Sequence, residues 1–426
     1  MTLMRRILIA AASLFLAITS VSGQGTIDPA LMEALKADPT RAATNHRPYE
    51  HGDLRDTPPP AGYKPFYISH YGRHGSRHSW GGSYYELIIG ALSKADSLGI
   101  LTPEGRAVLE QTRKVDAAWD GMDGRLSQRG VREHSQIARR MVKRFPAVFR
   151  GTPRLRAVSS TVQRCIISMN AFTTAVTSER PRAQWYLDTG ERIMDYVGET
   201  GHSAKACRER TNAILNNIFD APCDSTLLLK RLFSDPEAGR ALIPSLRRFH
   251  KALFRTAGIS GCWDIEDHIF PVLQPEYIYR YYSYDCHYIV SRYGNCTESG
   301  TARFDSLSLL VSDIVNKADE AIAGGEYCAD LRFGHDYPLI TLVSFLGIEG
   351  PGSKLDFDQI DSRWMGWKEL CMGSNLQMIF YRGRKGHVLV KFLYQEQERQ
   401  LRRLESVQGP YYDWEVVKAN IRGYKR

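Results

Sequence analysis

Several sequence signatures of metal, redox and membrane proteins are missing from this chain of 426 residues. It contains no C-x-x-C and no H-E-x-x-H sequence, which leaves a structural zinc site with little support. Beyond the N-terminus, no apolar run approaches the ~20 residues of a bilayer-spanning helix. Internal repeats and low-complexity tracts are also missing. With 43% hydrophobic and 24% charged residues, the composition is typical of a soluble globular protein.

Positive charge is in modest excess, with a formal net charge of +9. The Lys and Arg residues are dispersed along the chain, and no RNA- or DNA-binding motif accompanies them. We therefore do not expect nucleic acid as a partner. An excess of this size suits a small anionic substrate.

The first 23 residues have the pattern of a secretory signal peptide. Arg5 and Arg6 precede an apolar stretch at residues 7–18, and small residues at 21–23 offer a cleavage site. Because the apolar stretch is short for a membrane span, we expect cleavage and no stable membrane anchor afterwards. The mature protein is therefore expected to be exported, either to a bacterial periplasm or as a secreted protein.

Eight cysteines follow the predicted cleavage site, and export makes disulfides possible. The sequence does not choose among the many pairings that eight thiols allow. Nearness along the chain suggests Cys207 with Cys223 and Cys286 with Cys296.

A basic loop at residues 73–78 gives the clearest indication of chemistry, and it follows a short apolar strand at 65–69. Two arginines flank His74, and each guanidinium can direct two N–H donors to phosphate oxygens. Gly75 would let the backbone approach an anion closely, and the neutral imidazole of His74 is a nucleophile. The alternative is a solvated basic turn beside an edge strand.

Two later strands end in residues of complementary chemistry. A strand at 154–160 runs into a helix whose first turn contains Arg164, and a strand at 329–333 ends before His335 and Asp336. In an α/β sheet, anion donors gather where strands end and helices begin. Each feature alone fits an ordinary structural role, whereas together with the basic loop they supply the parts of a phosphomonoester hydrolase.

Hydrolysis of a phosphomonoester needs a nucleophile, cationic donors for the phosphoryl oxygens, and an acid that protonates the departing oxygen. The candidate nucleophile is His74 and the candidate acid is Asp336. Once ionised, the same carboxylate can activate water to hydrolyse the phosphohistidine. The candidate phosphate-binding residues are Arg73, Arg77, Arg164 and His335.

The sequence Arg73-His-Gly-x-Arg77 resembles the R-H-G-x-R-x-P signature of the histidine acid phosphatases, with Ser79 where that family usually has proline. A second likeness lies at 126–130, where Leu-Ser-x-x-Gly is similar to the L-T-x-x-G turn that the family commonly has before a helix. The histidine acid phosphatases use an arginine at the start of a helix that follows a strand as a third phosphate ligand, and Arg164 matches it.

Within that family, the chain most resembles the multiple inositol polyphosphate phosphatases, through the segments 331–335 and 374–377. That branch typically carries His-Ala-Glu, with the glutamate as proton donor, whereas this chain has His335-Asp336-Tyr337. The His-Asp form is that of many acid phytases and acid phosphatases. The resemblance therefore implies Asp336 as the proton donor.

The resemblance also implies a three-layer α/β/α fold, with a central mostly parallel sheet between helices and a mainly helical cap. We predict a leader at 24–60, the α/β body at 61–180 and 301–426, and the cap at 181–300. No metal and no organic cofactor is implied. An acid pH optimum would follow, because Asp336 must be protonated for the first step.

The implied activity is hydrolysis of inositol polyphosphates such as phytate. One alternative is a broad-specificity acid phosphatase acting on sugar or nucleotide phosphates, which would share the phosphate-binding residues and differ in substrate preference. A second alternative is a non-catalytic protein that binds phosphate esters, which would need neither His74 nor Asp336.

Overall fold

The structure is a computed structural model that describes residues 28–198, 204–220 and 225–423. The predicted signal peptide and Cys223 lie outside these residues. Among the helices of the described ranges, none combines the length and the hydropathy needed to cross a membrane.

One eight-stranded sheet runs through the described part of the chain. The strands are β1 (Lys64–Arg73), β2 (Arg154–Ser159), β3 (Gln184–Thr189), β4 (Ala329–Gly334), β5 (Asn375–Arg382), β6 (Val388–Tyr394), β7 (Gln397–Arg399) and β8 (Tyr411–Asp413). Their order is β3-β2-β4-β1-β5-β6-β7, with β8 paired to β6. Strands β3, β2, β4 and β1 run parallel, and β5 to β8 add antiparallel pairs. The predicted α/β class with a mostly parallel central sheet is confirmed.

Helices precede, connect and follow these strands. They are α1 (Pro29–Ala37), α2 (Ser83–Ser97), α3 (Pro103–Trp119), α4 (Gln128–Arg144), α5 (Gln163–Glu179), α6 (Glu191–Val197), α7 (Lys205–Asp220), α8 (Thr226–Leu232), α9 (Pro236–Ala241), α10 (Leu246–Ser260), α11 (Pro275–Tyr293), α12 (Ser308–Ile322), α13 (Asp336–Leu346), α14 (Ile360–Arg363), α15 (Gly366–Glu369) and α16 (Trp414–Gly423). A 3₁₀ segment at Pro39–His46 connects α1 to the chain that leads into β1.

Alternating side chains of the strands pack into two cores, one on each face of the sheet. In β1, Ile68 belongs to the core that contains α4 and α5. Its neighbours Tyr67 and Tyr71 belong to the other core, which contains most of the remaining helices, including α2, α3, α10, α11, α12 and α13. Helices therefore cover both faces, which gives the predicted three layers.

Two helices begin at the residues that the sequence favours as caps. Thr102 Oγ1 accepts a hydrogen bond from the Gly105 N–H at 2.9 Å at the start of α3. Ser127 Oγ accepts one from the Gly130 N–H at 3.3 Å at the start of α4. Each hydroxyl satisfies a backbone donor that the first helical turn leaves without a partner.

The predicted boundary between body and cap needs correction at residue 180. Strand β3 lies within residues 181–300, yet it pairs along its length with β2, so the sheet extends past residue 180. Helices α2 and α3, which we predict as body, pack against α10 and α8. The rest of the predicted division stays a prediction.

The proposed pairing of Cys286 with Cys296 is wrong, because both are free thiols. The two side chains have different neighbours. A Cβ added at Gly366 would lie 3.0 Å from the sulfur of Cys286, so this thiol packs against α15. Cys296 Sγ instead donates to Glu298 Oε2 at 3.2 Å.

Candidate active site

Three parallel strands end beside one another at the same edge of the sheet. In the pairing of β1 with β4, Arg73 lies opposite Gly334, and in the pairing of β2 with β4, Ser159 lies opposite Phe333. The chain then continues from β1 into His74 and from β4 into His335. Adjacent strand ends therefore bring together segments that are far apart in the sequence.

The ring of His74 is held in one tautomer by its own loop. Nδ1 donates to the carbonyl oxygen of Gly75 at 2.9 Å, and the backbone N–H of His74 donates to Gly334 O at 3.0 Å. Because a carbonyl can only accept, Nδ1 carries the proton and Nε2 keeps its lone pair in the neutral ring. Burial, followed by the charges of nearby arginines, lowers the pKa of His74 well below its usual value.

Helix α4 fixes the loop that carries His74. Glu133 accepts hydrogen bonds from both the backbone N–H and the hydroxyl of Ser76, each at 2.7 Å. The backbones of Gly75 and Gly130 also meet closely, since a Cβ on Gly75 would lie 2.7 Å from the Gly130 Cα. A Cβ on Gly130 would lie 2.3 Å from Ser76 O. The glycine of the Leu-Ser-x-x-Gly turn thus allows the helix to press against the loop.

Three arginines form the cationic part of the site. Arg73, Arg77 and Arg164 are 0%, 9% and 8% exposed. Burial, and then the charges of Arg164 and Arg73, lower the pKa of Arg77 to about 10. The buried Nε atoms of Arg73 and Arg77 have no hydrogen-bond partner among the described residues. Guanidiniums that crowd one another in this way favour a bound dianion.

His335 lies close to both Arg164 and His74. Its ring centroid is 5.9 Å from that of His74. Arg164 Nη2 is 3.4 Å from His335 Nδ1, and Ser160 Oγ is 3.0 Å from His335 Nε2. Since arginine can only donate, Nδ1 is the acceptor in the neutral ring and Nε2 carries the proton. Burial and the charge of Arg164 lower the pKa of His335 to about 4.

Asp336 is the first residue of α13, and its carboxylate is paired with an arginine. Its Oδ2 lies 2.8 Å from Arg73 Nη2 and accepts a hydrogen bond from Asn45 Nδ2 at 3.1 Å. Burial alone would raise the pKa of Asp336, but Arg73, His335, Arg77 and the Asn45 hydrogen bond together lower it. The carboxyl group is therefore ionised at neutral pH in the protein without substrate.

Position 337 carries a tyrosine where a His-Ala-Glu sequence has glutamate. The ring of Tyr337 stacks on that of Tyr293, with centroids 3.8 Å apart and planes 10° from parallel. The side chain that would be glutamate in a His-Ala-Glu sequence is thus packed against α11. Asp336 is the residue of this segment that contacts Arg73.

A cavity of about 170 Å³ lies beside Arg77. Trp80 forms part of its wall and is 60% exposed. The Arg164 guanidinium carbon is also 5.2 Å from the centroid of the Trp80 ring, a distance suited to a cation–π interaction. Arg255 lines the cavity too, but Asp285 binds it with hydrogen bonds of 2.7 and 2.8 Å. The other lining residues are Ala43, His46, Ser79, Tyr84, Tyr85, Phe254, Gly258 and Ile259.

All six residues that the sequence nominates are brought together by the fold, namely Arg73, His74, Arg77, Arg164, His335 and Asp336. Sequence reasoning missed Asn45 and His46 of the leader, which lies far from the motifs along the chain. It also missed Glu133, although its place three residues after Gly130 on the buried face of α4 was a usable signal. Within the described residues, no group of three or more His, Cys, Asp or Glu is arranged to hold a metal ion.

Comparisons with known proteins support the fold through structure rather than sequence. No protein-family model matches the chain, and no curated protein is significantly similar to it. The multiple inositol polyphosphate phosphatase of Bifidobacterium longum, solved in complex with phosphate, has a TM-score of 0.68 at 16% identity, over 89% of this chain and 97% of that chain. Its complex with inositol hexasulfate has the same TM-score at 17% identity, with the same coverage.

The phytase from D. castellii matches with a TM-score of 0.61 at 12% identity, over 90% of this chain and 85% of that chain. At such identities the similarity establishes a common fold. The fold expected from the resemblance to the histidine acid phosphatases is therefore confirmed.

Proposed function

We propose that this protein is an exported phosphomonoesterase that hydrolyses inositol polyphosphates such as phytate through a phosphohistidine intermediate. The state of His74 carries the proposal. Its Nδ1 proton is fixed on the Gly75 carbonyl, and burial among arginines keeps its ring neutral at acid pH. Attack on a phosphate dianion requires a lone pair of this kind, surrounded by cations that bind the phosphoryl oxygens.

In the first step, His74 Nε2 attacks phosphorus. A P–N bond forms while the bond between phosphorus and the ester oxygen breaks, and Asp336 gives its proton to that oxygen. The leaving group departs as an alcohol, and Asp336 becomes a carboxylate. The positive charge on the ring of the phosphohistidine is stabilised by its Nδ1 hydrogen bond to the Gly75 carbonyl.

In the second step, water attacks the phosphohistidine. The Asp336 carboxylate takes a proton from the water, a P–O bond forms, and the P–N bond breaks. Inorganic phosphate leaves, and His74 returns to the neutral tautomer. Asp336 has regained its proton, so the cycle closes without any other acid or base.

Substrate charge reconciles this mechanism with the ionised state of Asp336. A phosphate dianion beside Arg73 and Arg77 offsets the cations that lower the pKa of Asp336 and of His335. Both residues then take up protons more readily in the complex than in the free protein. Protonated His335 can donate to a phosphoryl oxygen, and protonated Asp336 can donate to the ester oxygen.

The substrate class is supported by the structural neighbours. The Bifidobacterium longum protein is a multiple inositol polyphosphate phosphatase that was solved with phosphate and with inositol hexasulfate. The D. castellii protein is a phytase. The export component of the proposal is supported by the signal-peptide pattern at residues 1–23.

A broad-specificity acid phosphatase is the second candidate, and the cavity beside Arg77 favours it. Apolar and aromatic side chains form most of its wall, and Arg255 is already neutralised by Asp285. Such a wall suits a leaving group with one apolar or planar face better than one that carries many phosphates. Substrate preference distinguishes the two candidates, because both use the same phosphate-binding residues.

The test is phosphate release from inositol hexakisphosphate at acid pH, with mature protein and no added metal. His74→Ala and Asp336→Asn are compared with the wild type, and each is expected to lose activity by about 10²-fold or more. The exposed residues His51 and Asp53 provide matched controls as His51→Ala and Asp53→Asn, which should keep full activity.

Each outcome selects one candidate. Wild-type activity that both site variants lose supports the proposed function. Cleavage of simple monoesters without cleavage of the inositol phosphate favours the broad-specificity phosphatase. Binding of phosphate esters without cleavage of any of them would identify a binding protein.

A further inference from the structure

We infer that Asn45, in the leader segment before the first strand, is a positioning residue that orients the carboxyl group of Asp336 for proton transfer to the leaving group. This inference rests on the proposed function and deepens it. It adds to the site a residue that is 291 positions away from Asp336 in the sequence.

Asn45 contacts both members of the buried ion pair. Its side-chain Nδ2 donates to Asp336 Oδ2 at 3.1 Å, and its backbone carbonyl accepts from Arg73 Nη1 at 2.5 Å. Arg73 Nη2 lies 2.8 Å from the same Oδ2. Asn45 is only 9% exposed, so these contacts are shielded from water.

These contacts determine which oxygen can carry the transferred proton. Asp336 Oδ2 accepts hydrogen bonds from Asn45 and Arg73. Both groups can only donate, so a proton on Oδ2 would face no acceptor. The proton of the acid form therefore belongs on Oδ1, whose donor among the described residues is the Tyr337 backbone N–H, at 3.2 Å. Without the Asn45 amide, Oδ2 would keep one donor and the carboxyl group could rotate between two positions.

The backbone next to Asn45 is held in an unusual conformation. Thr44 has φ 47° and ψ −120°, a region that disfavours side chains with a Cβ, and it is fully buried. Its Cγ2 would lie 3.2 Å from a Cβ at Gly366, which shows tight packing against α15. Its hydroxyl is 3.4 Å from Asn45 Oδ1, the geometry that turns the amide nitrogen toward Asp336.

A neutral donor is the suitable group at this position. Arg73 from β1, Arg77 from the basic loop and His335 at the start of α13 already face Asp336, and each lowers its pKa. A further cation would hold the carboxyl group ionised to still lower pH and weaken it as an acid. An amide orients the oxygen and adds no charge.

The experiment compares two esters that differ in how much they need an acid. Nitrophenolate leaves readily without a proton, whereas an inositol or glycerol alkoxide does not. For Asn45→Ala, kcat/KM with glycerol 2-phosphate, which reports the steps up to release of the leaving group, should fall by about 10- to 100-fold, as expected for losing a hydrogen bond to a charged group. With p-nitrophenyl phosphate, kcat/KM should change by less than about threefold. The Arg73 contact survives, because it uses the Asn45 backbone.

A second variant guards against misfolding. Asn45→Leu has a similar size, lacks the N–H donor and adds no charge, and it should show the same ester-selective loss. In both variants, the pH above which kcat/KM for glycerol 2-phosphate declines should move upward, because a contact that lowers the pKa of Asp336 is gone. Asn170→Ala, at an exposed position of α5, should match the wild type in every assay.

Equal losses with both esters, or a pH profile that does not move, would overturn the inference while leaving the proposed function intact. A wild-type protein that cleaves neither these esters nor inositol hexakisphosphate would overturn both. The two failures are therefore distinguishable in the same set of assays.

Discussion

His74 and Asp336 lie beside the same arginines, and the pKa of each is lower than usual. For the histidine, burial and positive charge act in the same direction and keep the ring neutral. For the aspartate, burial alone would raise the pKa, and the positive charge outweighs it. Lowering the pKa helps a nucleophile, which reacts through its neutral form, and hinders an acid, which must carry a proton. In the proposed mechanism, the protein alone prepares His74 as the nucleophile, whereas Asp336 depends on the charge of the substrate to become an acid.

The site has two ends, the proposed nucleophile end at His74 and the proposed acid end at Asp336. They also differ in which segments of the chain hold them. The tautomer of His74 is set by the carbonyl of the next residue, and its loop is held by α4, less than 60 residues further along the chain. Asp336 is held by Arg73 and Asn45, which come from distant segments. Four predictions follow the contrast between these ends.

Changing the leaving group separates the two ends most strongly. His74→Ala should lower the rate with both p-nitrophenyl phosphate and inositol hexakisphosphate by at least about 10²-fold, because no phosphohistidine can form. Asp336→Asn should lose about 10²- to 10⁴-fold in kcat/KM with the inositol ester and far less with the nitrophenyl ester. Values of kcat/KM at acid pH measure both effects, because they report the steps up to release of the leaving group and not the later attack of water. A loss of equal size for Asp336→Asn on the two esters would contradict its role as an acid.

Acid should destabilise the protein partly through His335, which lies close to His74 and directly precedes Asp336 in the chain. Its folded pKa of about 4 is below the unfolded value of about 6.5, so its contribution is complete above pH 6.5 and is lost as pH falls toward 4. This shift corresponds to a free energy of unfolding of the order of 3 kcal/mol.

Urea unfolding at pH 7 and pH 4.5 measures this loss. The decrease should be smaller in His335→Asn, and smaller in the wild type with inorganic phosphate, which pairs with the protonated ring. An unchanged decrease in the variant would mean that other buried histidines, such as His70 and His250, account for the loss.

Gly130→Ala should damage the nucleophile end while leaving the contacts of Asp336 in place. The new Cβ would lie 2.3 Å from Ser76 O, so the loop must shift, at a cost of roughly 1–3 kcal/mol in the free energy of unfolding. Gly90→Ala in α2 is the matched control. A Cβ there has no atom within 4 Å, and alanine should stabilise the exposed helix by about 0.5–1 kcal/mol. Thermal unfolding and kcat together measure the effect, and a fully active, fully stable Gly130→Ala would refute it.

The pH profiles of kcat and kcat/KM should differ in their alkaline limbs. The limb of kcat/KM reports Asp336 in the free protein, where the arginines lower its pKa, and the limb of kcat reports the complex, where the phosphate offsets them. We expect the kcat limb to lie higher by about one pH unit, equivalent to about 1.4 kcal/mol. Coincident limbs would show that the substrate charge does not prepare the acid.

Local patterns were sufficient to predict much of the fold. The strands predicted at 65–69, 154–160 and 329–333 lie within or nearly coincide with β1, β2 and β4. Errors arose where a long-range partner decided the outcome. Strand β3 was assigned to the cap because its pairing with β2 leaves no local signal, and Cys286 was paired by nearness in sequence although it packs against α15.

The sequence by itself determined which residues belong to the proposed phosphate site, because basic and nucleophilic residues at 73–77, 164 and 335–336 follow the ends of predicted strands. Only the tertiary structure decided how these groups are tuned. The ionised state of Asp336 results from charges on separate elements, and its orientation depends on Asn45, which no motif near either residue indicates. Electrostatic and hydrogen-bond energies depend on distances between atoms, and the fold sets those distances.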